Sequence, residues 1–311
     1  MRRATPQGSR STRRKAAETR KAFPRPVAAK ADPVQPLSKQ AAETVSPPLP
    51  ELPAPHWFAA DAAVVGHSHL RANPPKPCQD VALADAGGRA LVILADGAGS
   101  AAVSHLGAAA VVAGVRRLCR TFEGDLALTL DSRNGAPGQA EALARRIVTH
   151  ARGLLDDLAE AHLRSAEDFR CTLLLWVSGR QRALWLKIGD GELVAESDGA
   201  CHCVGPAGKG EFANQTCFIG PRLQDSQWAW GEIEAIPLTG LAAMSDGGAE
   251  RLVVSNARRV SLAVGKLLRG VAEAQVGRRE LFGLLAEADF WKGTSGDDKS
   301  LALIARTLSA P

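Results

Sequence analysis

Residues Leu91–Ser100, LVILADGAGS, decide how the rest of the chain is read. Leu91, Val92, Ile93 and Leu94 are consecutive large aliphatics, with Ala90 before and Ala95 after. So short an apolar run, closed by glycines, predicts a strand buried on both faces rather than a helix. The strand delivers one carboxylate, Asp96, into a Gly-Ala-Gly turn. A charge at the end of a buried strand is costly unless something pairs with it. Glycines let the backbone come close to that partner. Ser100 is then expected to cap a helix over 101–122. Strand, acid, turn and helix suit a cation site built from backbone and carboxylate. An ordinary turn whose Asp is satisfied by amides fits this stretch equally well.

Working outward, Val81–Ala84 reads as a partner strand, joined through the DAGGR turn of Asp85–Arg89. The hairpin places Asp80 and Asp96 at one end. Residues 57–66 read as a first strand, and His67–Pro77 as a polar loop. Downstream come an amphipathic helix over 139–165 and a second hairpin, Arg170–Ser178 with Arg182–Ile188. A strand over 192–196 is followed by a glycine-rich loop to about Gly220. Strands over 228–236 and 241–244, helices near 256–274 and 278–288, and a last strand over 300–306 complete the order. Hairpins interrupted by helices are not a βαβ alternation. An α+β fold is expected, with two antiparallel sheets and helices packed outside them.

The 311 residues are 45% hydrophobic with a mean hydropathy of −0.08, as in a soluble protein with a sizeable core. No apolar run reaches bilayer-spanning length. No apolar segment follows the N-terminal basic residues as it would in a secretory signal. A cytoplasmic location is expected, with six scattered cysteines as free thiols. The net charge of +5 belongs to the start of the chain, where residues 1–55 hold 11 Lys/Arg against 4 Asp/Glu. That Pro- and Ala-rich segment is predicted to be a disordered basic tail, with residues 56–311 as the folded domain. Nucleic-acid contact is expected, if anywhere, only through the tail. A monomer and no membrane association are expected.

Acids recur where apolar strands meet glycine turns: Asp80, Asp96, Asp190, Asp246, Asp297 and Asp298. Unpaired, such a cluster would repel itself. Mg²⁺ or Mn²⁺ relieves the repulsion through oxygen ligands, and a pair of ions can ready a water for attack on phosphorus. Cys201-His202-Cys203 lacks zinc spacing and reads as an incidental cluster.

Six motifs in order carry a resemblance. They are PCQD ending at Asp80, DGAGSA from Asp96, CTLLL from Cys171, IGDGEL around Asp190, MSDGG around Asp246 and DDKSLALI from Asp297. From about Gly66 to Ile304 the chain resembles the protein phosphatase 2C family, and more closely its divergent bacterial branch. The resemblance implies an α-β-β-α sandwich with two metals, or three in some members, in a cleft at one end of the sheets. It implies Asp96 as the bridging ligand, a backbone carbonyl from Gly97, and Asp246 and Asp297 as further ligands. Asp80 would act through waters, and Asp168 (or Glu167) would serve the third ion. Asp190 would fix the turn behind the site.

Departures from the family pattern are Gln79 in place of a glutamate and Pro75 where a phosphate-binding arginine stands. His67, His69, Arg71 or Lys76 on the same loop could take the arginine's place, and His69 could protonate the leaving oxygen. The implied activity is hydrolysis of phosphoserine and phosphothreonine in proteins by a water bridging two Mg²⁺ or Mn²⁺ ions. The alternative is a catalytically weak homologue that binds phosphoproteins and regulates a partner kinase. The implied partners are a phosphorylated protein and a cognate Ser/Thr kinase.

Overall fold

The Asp85–Arg89 turn folds the chain back on itself, and Asp80 sits directly across from Asp96 in antiparallel register. The computed structural model describes residues 56–133, 135–207, 216–254 and 257–307. The tail expectation for residues 1–55 lies outside them, as does part of the expected loop before Gly220.

The order is β1 (Phe58–Val64), α1 (His67–Arg71), β2 (Asp80–Asp85), β3 (Leu91–Asp96), α2 (Ser104–Thr121), α3 (Glu123–Leu130) and α4 (Gln139–His162). Then come β4 (Leu173–Ser178), β5 (Arg182–Ile188), β6 (Glu192–Ser197), β7 (Ala200–Val204), β8 (Ala229–Glu234) and β9 (Leu238–Met244). The chain continues through α5 (Asp246–Ala249), β10 (Val253–Val254), β11 (Arg259–Val260), α6 (Leu262–Ala272), α7 (Arg278–Ala286), α8 (Ala288–Trp291) and β12 (Lys299–Ala305). Two five-stranded antiparallel sheets result, ordered β1-β12-β9-β6-β7 and β2-β3-β4-β5-β8.

Side-chain alternation along each central strand builds the layers. On β3, Leu91, Ile93 and Ala95 pack with α2, α3 and α4, while Val92 and Leu94 face the other sheet. On β12, Leu301 and Leu303 pack with α6 and α7, while Ala302 and Ile304 face inward. Trp176 lies wholly buried between the sheets, and its Nε1 donates to the Ala242 carbonyl at 3.1 Å, tying one sheet to the other. The expected α-β-β-α sandwich is therefore the observed one. Among the described residues, no helix is long and apolar enough to cross a membrane.

Four local expectations are corrected. Ser100 caps nothing: α2 begins at Ser104, and Ser100 Oγ instead lies 3.4 Å from Arg170 Nη2. The expected loop His67–Pro77 contains the short helix α1, closed by Ala72 N–H donating to the His69 carbonyl. Residues 123–130 form α3, where the helical run restarts after Phe122. The expected loop after Glu196 contains β7, so Cys201, His202 and Cys203 are strand residues, and both cysteines pack against the α6 core.

Candidate active site

Strand polarity gathers the acids. Asp80 opens β2 and Asp96 closes β3. Met244, two residues before Asp246, pairs with both Leu301 and Glu192, so the 244–246, 297–301 and 190–192 segments share an end of the first sheet. Leu173 pairs with Ile188, bringing the Asp190 turn alongside the end of β3. Thr172 fastens that end: its N–H donates to the Asp96 carbonyl, and its Oγ1 accepts from the Asp96 N–H, each at 2.8 Å.

Asp298 clasps the two sheets. Its Oδ1 accepts the Gly66 N–H at 2.6 Å and its Oδ2 accepts the Gln79 N–H at 2.5 Å. Gly66 must be glycine here, because a Cβ would sit 2.5 Å from the Asp297 and Gly296 backbone. Gly247 is constrained the same way: a Cβ there would sit 2.1 Å from the Asp298 carbonyl oxygen. His69 is buried between two acids, with Nδ1 3.0 Å from Asp298 Oδ1 and Nε2 3.5 Å from Asp297 Oδ1. The Nδ1 contact is close but its angle is not that of a hydrogen bond.

The electrostatics show how closely the acids converge. Asp80 is buried, with the Ser245 and Ser300 hydroxyls near its carboxylate but no hydrogen bond of good geometry to either oxygen. Burial first, then the Asp298 charge, lifts it to about 7, with the Ser245 and Ser300 hydroxyls pulling the other way. Asp96 is pushed well above the usual carboxylate range by burial and by the charges of Asp80, Asp246, Asp297 and Asp190. Asp246 rises to about 6 through burial and the charges of Asp190 and Asp297, despite accepting the Gly247 N–H at 2.6 Å. Buried carboxylates that raise one another in this way suit divalent cations.

The structure thus gathers Asp80, Asp96, Asp190, Asp246 and Asp297 at one end of the sheets, where their charges act on one another, with Gly97 following Asp96. Among the described residues, the set whose ligand atoms all lie within 4.8 Å of one another is His69, Asp297 and Asp298. Asp190 also accepts Thr216 Oγ1 at 2.6 Å, consistent with a turn-fixing part. Other candidates lie farther out. Asp168 is half-buried in a 3₁₀ turn, 3.6 Å from Arg164 Nη1; the Glu167 carboxylate accepts from Arg222 Nε, and its backbone carbonyl accepts from Arg170 Nε. Neither is among the charges acting on Asp96. His67 stacks on Trp291 with ring centroids 4.3 Å apart, and Arg71 is exposed on α1. Lys76 Nζ donates to the Gly99 carbonyl at 3.1 Å, which puts its ammonium on the glycine turn.

Two parts of the site had weak sequence signals. Asp298 reads as the lesser half of an Asp-Asp pair. Lys299 is fully buried: it donates to the Gly247 carbonyl at 2.9 Å and to Glu250 at 3.2 Å, and it lies 4.6 Å from the Trp291 ring centroid. A lysine at the start of an apolar strand was the only hint of that anchor.

Comparison with known proteins agrees with this architecture. Residues 65–286 match the family described as protein phosphatase 2C. A curated relative, serine/threonine-protein phosphatase 3 of Escherichia coli, is 31% identical over 201 residues, which are 61% of this chain and 73% of the relative. The solved serine/threonine phosphatase of Mycobacterium tuberculosis superposes with a TM-score of 0.56 at 17% identity, covering 81% of this chain and 99% of that one. The Staphylococcus aureus phosphatase Stp1 gives 0.54 at 16% identity, covering 80% and 95%. With the acids gathered at one end of a four-layer sandwich and two-thirds of its length matched, this chain belongs to the protein phosphatase 2C family of serine/threonine phosphatases.

Proposed function

We propose that residues 56–311 are a metal-dependent phosphatase of phosphoserine and phosphothreonine in proteins, and that residues 1–55 are a basic extension dispensable for the chemistry. The observation that carries the reading is Asp80. A buried carboxylate beside further acids, met by serine hydroxyls but by no lysine or arginine among the described residues, is suited by a source of positive charge. Hard divalent ions such as Mn²⁺ or Mg²⁺ fit an all-oxygen donor set of this kind.

Asp96, Asp246 and Asp297 would hold two such ions directly, with the Gly97 carbonyl, and Asp80 would act through ordered water. Asp168 would serve a third, looser ion. When bound, the ions supply a water of lowered pKa and neutralise phosphate charge. The chain's own residues do the rest. Thr172 locks the direction of Asp96, and Asp298 fixes the distance between sheets. His69, with both ring nitrogens toward acids, is placed to hold a proton for the departing serine or threonine oxygen. Lys76 and Arg71 supply cations at the rim for the phosphate, and His67 a ring N–H. A cytoplasmic site of action and a Ser/Thr kinase as counterpart fit the chemistry.

The test is hydrolysis of p-nitrophenyl phosphate and of a phosphothreonine peptide with manganese, comparing the wild-type chain with Asp96→Ala and Asp246→Ala. Activity that requires manganese and disappears in both variants is expected. Full activity in excess chelator sinks the reading. Calorimetric titration of manganese separates it from a non-catalytic phosphoprotein binder, which would show no site or a single weak one.

A further inference from the structure

The Asp190 turn has a second side. Gly189 and Thr216, which flank and hold Asp190, also line a groove of about 950 Å³. Arg170, Lys187, Phe218, Arg222 and Trp228 continue its walls, and Glu167 is its one acid among the described lining residues. Glu167 is shared by two guanidiniums, Arg222 Nε at 2.9 Å and Arg170 Nε at 3.1 Å, so one positive charge is left over. Behind the lining, the arrangement is repeated. Lys187 lies 3.3 Å from Glu192, which also takes Arg258 at 2.8 Å. Arg170 links groove and acid site: its Nη2 is 3.4 Å from Ser100 Oγ, and its carbonyl accepts the Ala98 N–H at 3.0 Å. Its guanidinium lies 5.8 Å from the Phe218 ring centroid.

Excess positive charge in a groove that Arg170 ties to the DGAGS turn sits beside the most acidic part of the protein. A polypeptide that brings a phosphate to Asp96 carries its neighbouring residues along a surface next to the acids. With the acid cluster neutralised by its ions, carboxylates there are drawn by the groove. Phe218 and Trp228 offer apolar area under an extended backbone.

We propose that this groove, from Arg170 to Arg222, seats acidic residues that flank the phosphorylated one, and so selects acidic phosphopeptides as substrates. The proposal rests on the phosphatase reading above. Arg222 is the outer contact, four-fifths exposed and free to swing from Glu167 to a peptide carboxylate. Arg170 is the inner one, next to the glycine turn.

The test uses the full chain with manganese and fluorescein-labelled phosphonate peptides, whose carbon–phosphorus bond resists hydrolysis. One peptide carries Asp and Glu around the phosphonate and the other carries Lys. Anisotropy should show the acidic peptide bound at least ten-fold more tightly. Arg222→Glu should shrink the gap about five-fold, as an exposed charge pair allows. Raising NaCl to 0.5 M should shrink it further. Equal affinities, or a preference that Arg222→Glu leaves intact, overturn the proposal. Hydrolysis of the matching phosphothreonine peptides is measured separately. Its absence there counts against the phosphatase reading and leaves the groove result standing.

Discussion

The two ends of the β2–β3 hairpin treat the same residue type in opposite ways. At the turn end, Asp85 takes both Arg116 and Arg120 at 2.7 Å, and Arg89 is gripped by Glu123 at 2.7 Å and Asp131 at 2.8 Å. Hydrogen bonds from arginine outweigh burial there and hold Asp85 and Asp131 below the usual carboxylate range. At the strand end, Asp80 and Asp96 face each other with no such partner, and both are raised. Among the described residues, no arginine pairs with either of them. One end is an ordinary structural ion network. The other holds its acids apart from any internal cation, which costs stability and keeps the oxygens available for a ligand.

The largest expected effect tests the unpaired end. Asp96→Asn should lower manganese-dependent phosphatase activity about a thousand-fold, judged by the loss typical when a group stabilising transition-state charge is removed. The same change should raise the melting temperature of the metal-free protein, because it deletes a buried like charge. An unchanged or lower melting temperature would mean the acids are not strained.

At the paired end the signs reverse. Arg89→Met removes a charged partner from two carboxylates, one half-exposed, and should cost about 1.5 kcal/mol of stability in urea denaturation. Manganese affinity from calorimetry should stay unchanged.

The same contrast sets a pH dependence. Asp80 near 7 and Asp246 near 6 are both raised above an unfolded value near 3.8. Between those limits the folded chain holds protons that the unfolded chain has released. Metal-free stability should therefore be fullest below about pH 4 as far as these two groups are concerned, and fall as pH rises to about 7. The slope is up to about 1.4 kcal/mol per pH unit for each group. Manganese competes with those protons, so its stabilisation of the fold should grow from pH 5.5 to pH 8. Melting curves at the two pH values with and without manganese check both signs.

The smallest effect sharpens the paired end. Arg116→Ala leaves Arg120 on Asp85, and Arg116 is two-fifths exposed. Thermal denaturation should show a loss of no more than about 0.5 kcal/mol.

What could be read from the chain divides along similar physical lines. The buried strand Leu91–Asp96, its hairpin partner and the recurring acids were legible because local hydrophobic pattern and glycine turns fix them. The meeting of Asp80 and Asp96 followed once their hairpin was read as antiparallel, whereas Asp246 was drawn to them only by the family resemblance. β7 was missed because its residues alternate only between exposed and half-buried and include no large aliphatic before Val204. α3 was missed because Phe122 breaks a continuous helical pattern. The part played by Asp298 was hidden for a different reason. It depends on amides at Gly66 and Gln79, 232 and 219 positions away, which only the tertiary fold brings within reach.

That distance has a consequence for how the protein is made. A ribosome has already released β1 through α8 before the residue that moors the two early strands leaves the exit tunnel. A nascent polypeptide displaying Asp80, Asp96 and Asp246 is still an open jaw. Competence arrives late and all at once, and a message truncated a few codons short of β12 yields a protein with most of its acids and no working centre.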